Sequence, residues 1–233
     1  MSKVIDPRDL VPMDLLAGEP MAIDLVYANA GHPENIFGAA VYHPDARLIL
    51  HKDLARIVLL AARLLHAQYG WTLILKDGLR PVEAQAALIE TGIVKANPHW
   101  LGEPRLLSGP GMGGHPRGMA IDVSVEGVDM GTVFDAMIPQ SARSYRGFDP
   151  DILENRARLE MAFVESARKL GLPLLPLASE WWDFRLPAAY SGTFAPLSDA
   201  DLPGPLKICG KPVADAAWDD HFAGLAKSIP LSV

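Results

Sequence analysis

Three short segments carry residues whose types and spacing could do chemistry. GGHPRGMAID sets His115 in a glycine-rich loop and Asp122 on the segment that follows. A loop-to-strand link can bring both side chains to one metal, and neutral imidazole with carboxylate suits zinc. On spacing alone, a loop histidine beside a strand-end aspartate is an equal reading. SEWWDFR adds Glu180 and Asp183 around Trp181 and Trp182. Paired tryptophans pack into cores, whereas buried carboxylates need partners or metals. On an extended strand Glu180 and Asp183 face opposite sides, so a twist or bulge is needed to aim both into one cleft. DGLRP places Arg80 after a strand. Arg80 is either salt-bridged to a nearby aspartate or a fixed cation for a developing oxyanion. His32, His43, His51, His66, His99 and His221 have no ligand-spaced partner and read as surface or packing residues.

These side chains need rigid elements. A short apolar stretch over 21–26 reads as a strand. Leu54, Ile57, Val58, Ala61, Leu64 and Leu65 repeat at helical spacing, with Asp53 as the expected N-cap and Gly70 as the stop. Residues 71–76 read as a strand, Asp77-Gly78 as a turn, and 82–90 as a helix with Pro81 near its first position. Residues 97–114 are rich in Gly and Pro and should form a loop. Met119–Val125 reads as a strand. A second long helix is expected from Asp149-Pro150 to Gly171, through Ile152, Leu153, Leu159, Met161, Phe163, Val164 and Leu170. Residues 177–186 read as the next strand, and the chain after Pro187 as irregular. Without a regular βαβ rhythm, the expected class is α+β: a central antiparallel sheet flanked by helices.

Composition bounds the function. The chain has 233 residues, 49% hydrophobic and 21% charged, enough for one domain over 1–233. One cysteine, Cys209, excludes a disulfide framework and a zinc finger. A formal charge of −7 without basic runs argues against a nucleic-acid partner. No apolar run reaches the ~20 residues of a membrane helix, and MSKVIDPRDLVPMDLL lacks an apolar signal core. The expected setting is cytoplasmic, with no membrane partner; self-association is left open.

DGLRP, HPRGMAID and EWWDF, in that order, resemble the D-alanyl-D-alanine dipeptidases of the vancomycin-resistance type, within the wider zinc DD-peptidase family. That family's pattern is an Arg after a strand turn, then S-x-H-x-x-G-x-A-x-D, then E-x-W-H. YANAGHPENIFG, MGTVFDAM and NRARLEMAF resemble further family segments, so the likeness spans about residues 22–187 and leaves an extension over about 190–233. The resemblance implies a metal-dependent dipeptidase acting on D-Ala-D-Ala or a related small dipeptide. His115 and Asp122 would be metal ligands. Glu180 would take a proton from the attacking water and return it to the leaving amine. Arg80 would stabilise the oxyanion, and Tyr27 and Asp135 would receive the substrate's ammonium group.

Two departures stand out. Gly113 occupies the place of the family's Ser, and Asp183 that of the third metal-ligand His. A His–Asp–Asp set is still a legitimate three-ligand site for one Zn²⁺ per chain, with harder ligands tilting preference toward another divalent metal such as Mn²⁺. Two carboxylates would make a zinc unit neutral instead of +1, so Asp183→His is expected to raise zinc affinity or activity. Asp183 also suggests an alternative, a catalytically impaired binding or regulatory homologue. Gly113 suggests another, a metal-dependent hydrolase of a different small amine-bearing amide.

Overall fold

The computed structural model describes residues 2–102 and 106–233. Its main sheet is built from β2 (Met21–Ile23), β4 (Leu73–Asp77), β5 (Ala120–Val125), β6 (Leu175–Pro176) and β7 (Asp183–Arg185), in the order β2-β4-β5-β7-β6. A two-stranded antiparallel ribbon, β1 (Leu10–Pro12) with β3 (Ile49–His51), stands apart from it. Every pair in the main sheet is antiparallel except β2–β4. That pair is parallel because the chain leaves β2 and returns to β4 through a long crossover containing a helix.

That helix, α1 (Lys52–Tyr69), buries Leu54, Ile57, Val58, Ala61 and Leu65 and ends at Gly70 in the left-handed conformation. Its N-cap is His51, not Asp53: the imidazole Nδ1 accepts the Asp53 N–H, and the Asp53 carboxylate instead accepts the Tyr190 hydroxyl at 2.6 Å. α1 packs on α4 (Pro150–Leu170). In α4 only part of the expected stripe is buried. Leu159 and Phe163 face the core, but Met161 is 66% and Val164 45% exposed, with Ala162 and Ala167 taking buried places. Phe163 stacks on Phe184 of β7 at 3.9 Å between ring centroids, which fixes α4 over the sheet.

α2 (Val82–Ile89) follows Arg80-Pro81 as expected. A short α3 (Gly92–Ala96) and a 3₁₀ turn at Pro98–Leu101 then precede the irregular segment. Residues 103–105 of the expected loop lie outside the described residues. The chain after Pro187 holds two helices the sequence reading missed, α5 (Ala188–Ser191) and α6 (Asp219–Leu231). α6 lies against α1, and Arg63 donates to the Pro230 carbonyl at 3.1 Å. Among the described residues no helix is long and apolar enough to cross a membrane.

Two irregularities aim side chains at one place. Leu75 pairs with Val123 and Asp77 with Asp122, so Lys76 is an extra residue on β4. This bulge puts Asp77 opposite Asp122; in regular register Lys76 would stand there. Residues 177–186 are not one strand. β6 and β7 form a hairpin whose connection turns at 178–182, and only 183–185 pair with β5. The turn meets its backbone needs elsewhere: Glu180 N–H donates to the Leu177 carbonyl at 3.3 Å and Trp181 N–H to the Ser141 carbonyl at 3.0 Å.

Candidate metal centre

Asp77, Asp122 and Asp183 sit side by side on β4, β5 and β7, each the direct partner of the next. All three are buried, at 0%, 3% and 0% exposure. Like charges directly opposite repel, and burial strips their water, so each needs compensation. Asp77 accepts Arg80 Nε at 2.9 Å and Nη2 at 2.6 Å, and the Tyr42 hydroxyl at 2.6 Å. Asp183 is gripped by the Arg185 fork: Nε donates to Oδ1 at 2.7 Å, and Nη2 donates to Oδ2. The middle carboxylate is the exception. Asp122 Oδ2 is 3.6 Å from both His115 Nε2 and Arg80 Nη2, and Asp122 Oδ1 is buried with no hydrogen-bond partner.

His115 hangs over this row. It opens a single 3₁₀ turn, His115–Arg117, closed by Gly118 in the left-handed conformation. Its carbonyl accepts the Arg80 N–H at 3.0 Å, tying the two motif loops together. Nδ1–H donates to the Gly78 carbonyl at 2.9 Å, which turns Nε2 toward Asp122 Oδ2 at 3.6 Å and Asp183 Oδ2 at 3.4 Å. Three donor atoms at 2.1 Å from one tetrahedral ion would be about 3.4 Å apart. Burial disfavours the imidazolium, yet the Asp122 and Asp183 carboxylates push His115 up to about 10. A site that draws a proton so strongly can hold a metal cation in its place. The orphaned Asp122 oxygen, the orientation of Nε2 and the donor spacing all fit a divalent ion. Ligand atoms of Asp122, Glu180 and Asp183 also lie within 4.8 Å of one another. A second acidic cluster, Asp24, His32 and Glu34, already holds a cation: Lys76 Nζ donates to Asp24 at 2.6 Å and to Glu34.

All seven expected residues, Tyr27, Arg80, His115, Asp122, Asp135, Glu180 and Asp183, line one cavity of about 90 Å³. Glu180 shares the cleft with Asp183 because it belongs to the turn before β7 and not to the strand. Burial, then the charges of Asp183 and Asp122, raise the Glu180 carboxyl well above the usual range. Burial acts on Asp183 in the same direction, but Arg185 overrides it and holds that carboxyl far below its ordinary value. Tyr27 donates its hydroxyl to Asp135 Oδ2 at 2.5 Å, and its ring lies 5.2 Å below the Arg80 guanidinium. Asp135 has φ 61°, the one non-glycine residue with positive φ among those described, a strain typical of functional sites. Sequence reasoning passed over Asp77, read as a turn residue, as well as Tyr42 and Arg185. The signal for Arg185 was its place two residues after Asp183, on the same face of a strand.

Residues 8–199 match the model of the peptidase M15 family, described as D-ala-D-ala dipeptidase. The chain is 34% identical over 192 residues to the D-alanyl-D-alanine dipeptidase of Escherichia coli strain K12, covering 80% of this chain and 89% of that one. Among solved structures, a Serratia marcescens L-Ala D-Glu endopeptidase matches with a TM-score of 0.36 at 18% identity, over 60% of this chain and 82% of its own.

Burial lifts the Asp135 carboxyl to about 7, although the Tyr27 hydrogen bond works against the rise. A folded value above the unfolded one of 3.8 means that the fold holds the extra proton. Ionisation therefore costs nothing near pH 4 and the full penalty above pH 7, up to about 4 kcal/mol. Asp135→Asn, which tolerates the same backbone, is expected to melt several degrees above the metal-free parent at pH 8 and at the same temperature at pH 4. An equal difference at both pH values, measured by thermal unfolding, would contradict this.

Proposed function

The chain belongs to the peptidase M15 family of D-ala-D-ala dipeptidases, and from that premise we propose that it hydrolyses D-Ala-D-Ala, or a closely related small dipeptide. The metal is a divalent ion, zinc by preference, held by His115, Asp122 and Asp183. The observation that carries this reading is the orphaned, buried Asp122 carboxylate facing His115 Nε2 and Asp183 inside the cavity that also contains Arg80 and Glu180. The proposal takes the chain as one folding unit, since Leu197, Leu206 and Ile229 of the C-terminal stretch join the same core.

When bound, the ion supplies Lewis-acid polarisation of the scissile carbonyl and acidifies water. The chain's own groups do the rest. Glu180 takes the proton of the attacking water on its carboxylate and hands it to the leaving nitrogen; burial and the neighbouring carboxylates raise its proton affinity, which favours the uptake. Arg80 stabilises the oxyanion with a guanidinium whose orientation Asp77 fixes through two of its nitrogens. Asp135 receives the ammonium group on the oxygen that Tyr27 leaves free. A cavity of about 90 Å³ cannot enclose a long peptide, which favours a short substrate.

Arg185 changes the meaning of Asp183. The Asp183–Arg185 pair is net neutral, as an imidazole is, so the ion with its surroundings keeps the +1 that two bare carboxylates would have cancelled. The expectation that Asp183→His alone helps is therefore reversed. Asp183→His strands a buried guanidinium beside the ion and should weaken zinc binding by at least about tenfold, the order expected for an uncompensated buried charge. Asp183→His combined with Arg185→Met should recover it. Calorimetric zinc titration distinguishes these outcomes; a gain in affinity from the single substitution would contradict the pairing.

Arg80→Ala would leave Asp77 buried without its partner and cost about 3–5 kcal/mol of stability. Arg80→Lys keeps a cation there but loses the fork. It should lower kcat for D-Ala-D-Ala by about 10²-fold while KM changes little, the scale for removing a transition-state contact. Purified, zinc-loaded parent that leaves D-Ala-D-Ala and related dipeptides intact would refute the assigned activity.

A further inference from the structure

Arg185 uses only part of its guanidinium on Asp183. Nε and Nη2 donate to the two carboxylate oxygens, while Nη1 makes no hydrogen bond among the described residues. Arg185 lines the same cavity as the metal centre, with its side chain 17% exposed. Beside it lies Ser108, also on the cavity wall, whose hydroxyl likewise has no partner among the described residues. Both flank Gly113. A Cβ built there would stand 3.4 Å from Ser108 Oγ and 3.8 Å from Arg185 Nη1. With φ +80°, position 113 also disfavours any side chain of its own. The missing side chain thus leaves a gap bordered by a hydroxyl and by the unused arm of a cation.

The charges of the cleft assign that gap. The guanidinium of Arg80 is matched by Asp77, and the substrate's ammonium by Asp135. Asp183 occupies Nε and Nη2 of Arg185, which leaves Nη1 as the unused cationic donor on the β7 side of the cleft. Tyr27, which carries Asp135, stands against Arg80 at the β4 side, across the sheet from Arg185. A zwitterion bound between them has its negative end at Arg185.

We infer that Arg185 Nη1 and Ser108 Oγ form the subsite for the substrate's C-terminal carboxylate, making them specificity-determining residues that replace the side chain absent at Gly113. The inference rests on the dipeptidase reading, and its substrates are dipeptides with a free carboxyl terminus.

Binding of D-Ala-D-Ala and of its C-terminal carboxamide is compared by calorimetry in the zinc-loaded Glu180→Gln background, with hydrolysis of both by the parent measured in parallel. Charge-assisted hydrogen bonds predict that the free acid binds about 10- to 100-fold more tightly than the amide. Arg185→Lys should shrink that ratio by about tenfold and Ser108→Ala by about threefold, each at unchanged zinc content. If Arg185→Lys loses zinc, Ser108→Ala decides, because Ser108 makes no hydrogen bond to a metal-site side chain among the described residues. A ratio near one, or a ratio that survives both substitutions, overturns the subsite. If the parent hydrolyses neither compound while the ratio and its loss hold, the dipeptidase reading falls and the carboxylate subsite stands. If neither compound binds, both fall.

Discussion

Three buried aspartates in register on neighbouring strands form the constraint on which the rest of this site depends. Asp77, Asp122 and Asp183 repel one another and lack water. The structure answers from both ends. Arg80 and Tyr42 hold Asp77, and Arg185 holds Asp183. The centre is left to His115 and to whatever cation sits beside it. The chemistry and the fold meet in this row. The bulge at Lys76 exists where it must to bring Asp77 into line, and the β6–β7 turn brings Glu180 to the edge of the row.

The flanking groups are arranged to keep charge where the reaction needs it. Phe163 against Phe184 and the Trp181–Trp182 pair keep β7 rigid. Arg143 threads beneath it, donating to the carbonyls of Leu177 and Asp183 at 2.9 Å. Asp135 is the opposite case, with a strained backbone and a disfavoured carboxylate; in the proposed reading an incoming ammonium group would supply the missing counter-charge.

Much of the site was legible in the sequence. His115, Asp122, Glu180, Asp183 and Arg80 stand out by residue type and spacing, Tyr27 and Asp135 through the family resemblance, and all seven line one cavity. Both long helices follow from their spacing and glycine stops. What could not be read depends on register and on tertiary partners. No local pattern tells that Lys76 is a bulge residue, so Asp77 read as a turn. SEWWDFR has strand composition throughout, yet the Ser141 carbonyl and the neighbouring aromatic rings stabilise a turn at Glu180. Asp183 looked like a defect until its partner Arg185 was seen beside it. α6 carries weak periodicity and a proline at position 230, and it is helical because α1 offers it a surface.

The central claim is that the aspartate row with His115 is a divalent metal centre, and zinc titration by calorimetry tests it most directly. The parent should bind one zinc ion per chain. Asp122→Asn should weaken that binding by about 100-fold or more, whereas Asp24→Asn, in the cluster already filled by Lys76, should leave it intact. No zinc binding by the parent, or binding lost in Asp24→Asn and retained in Asp122→Asn, would contradict the account.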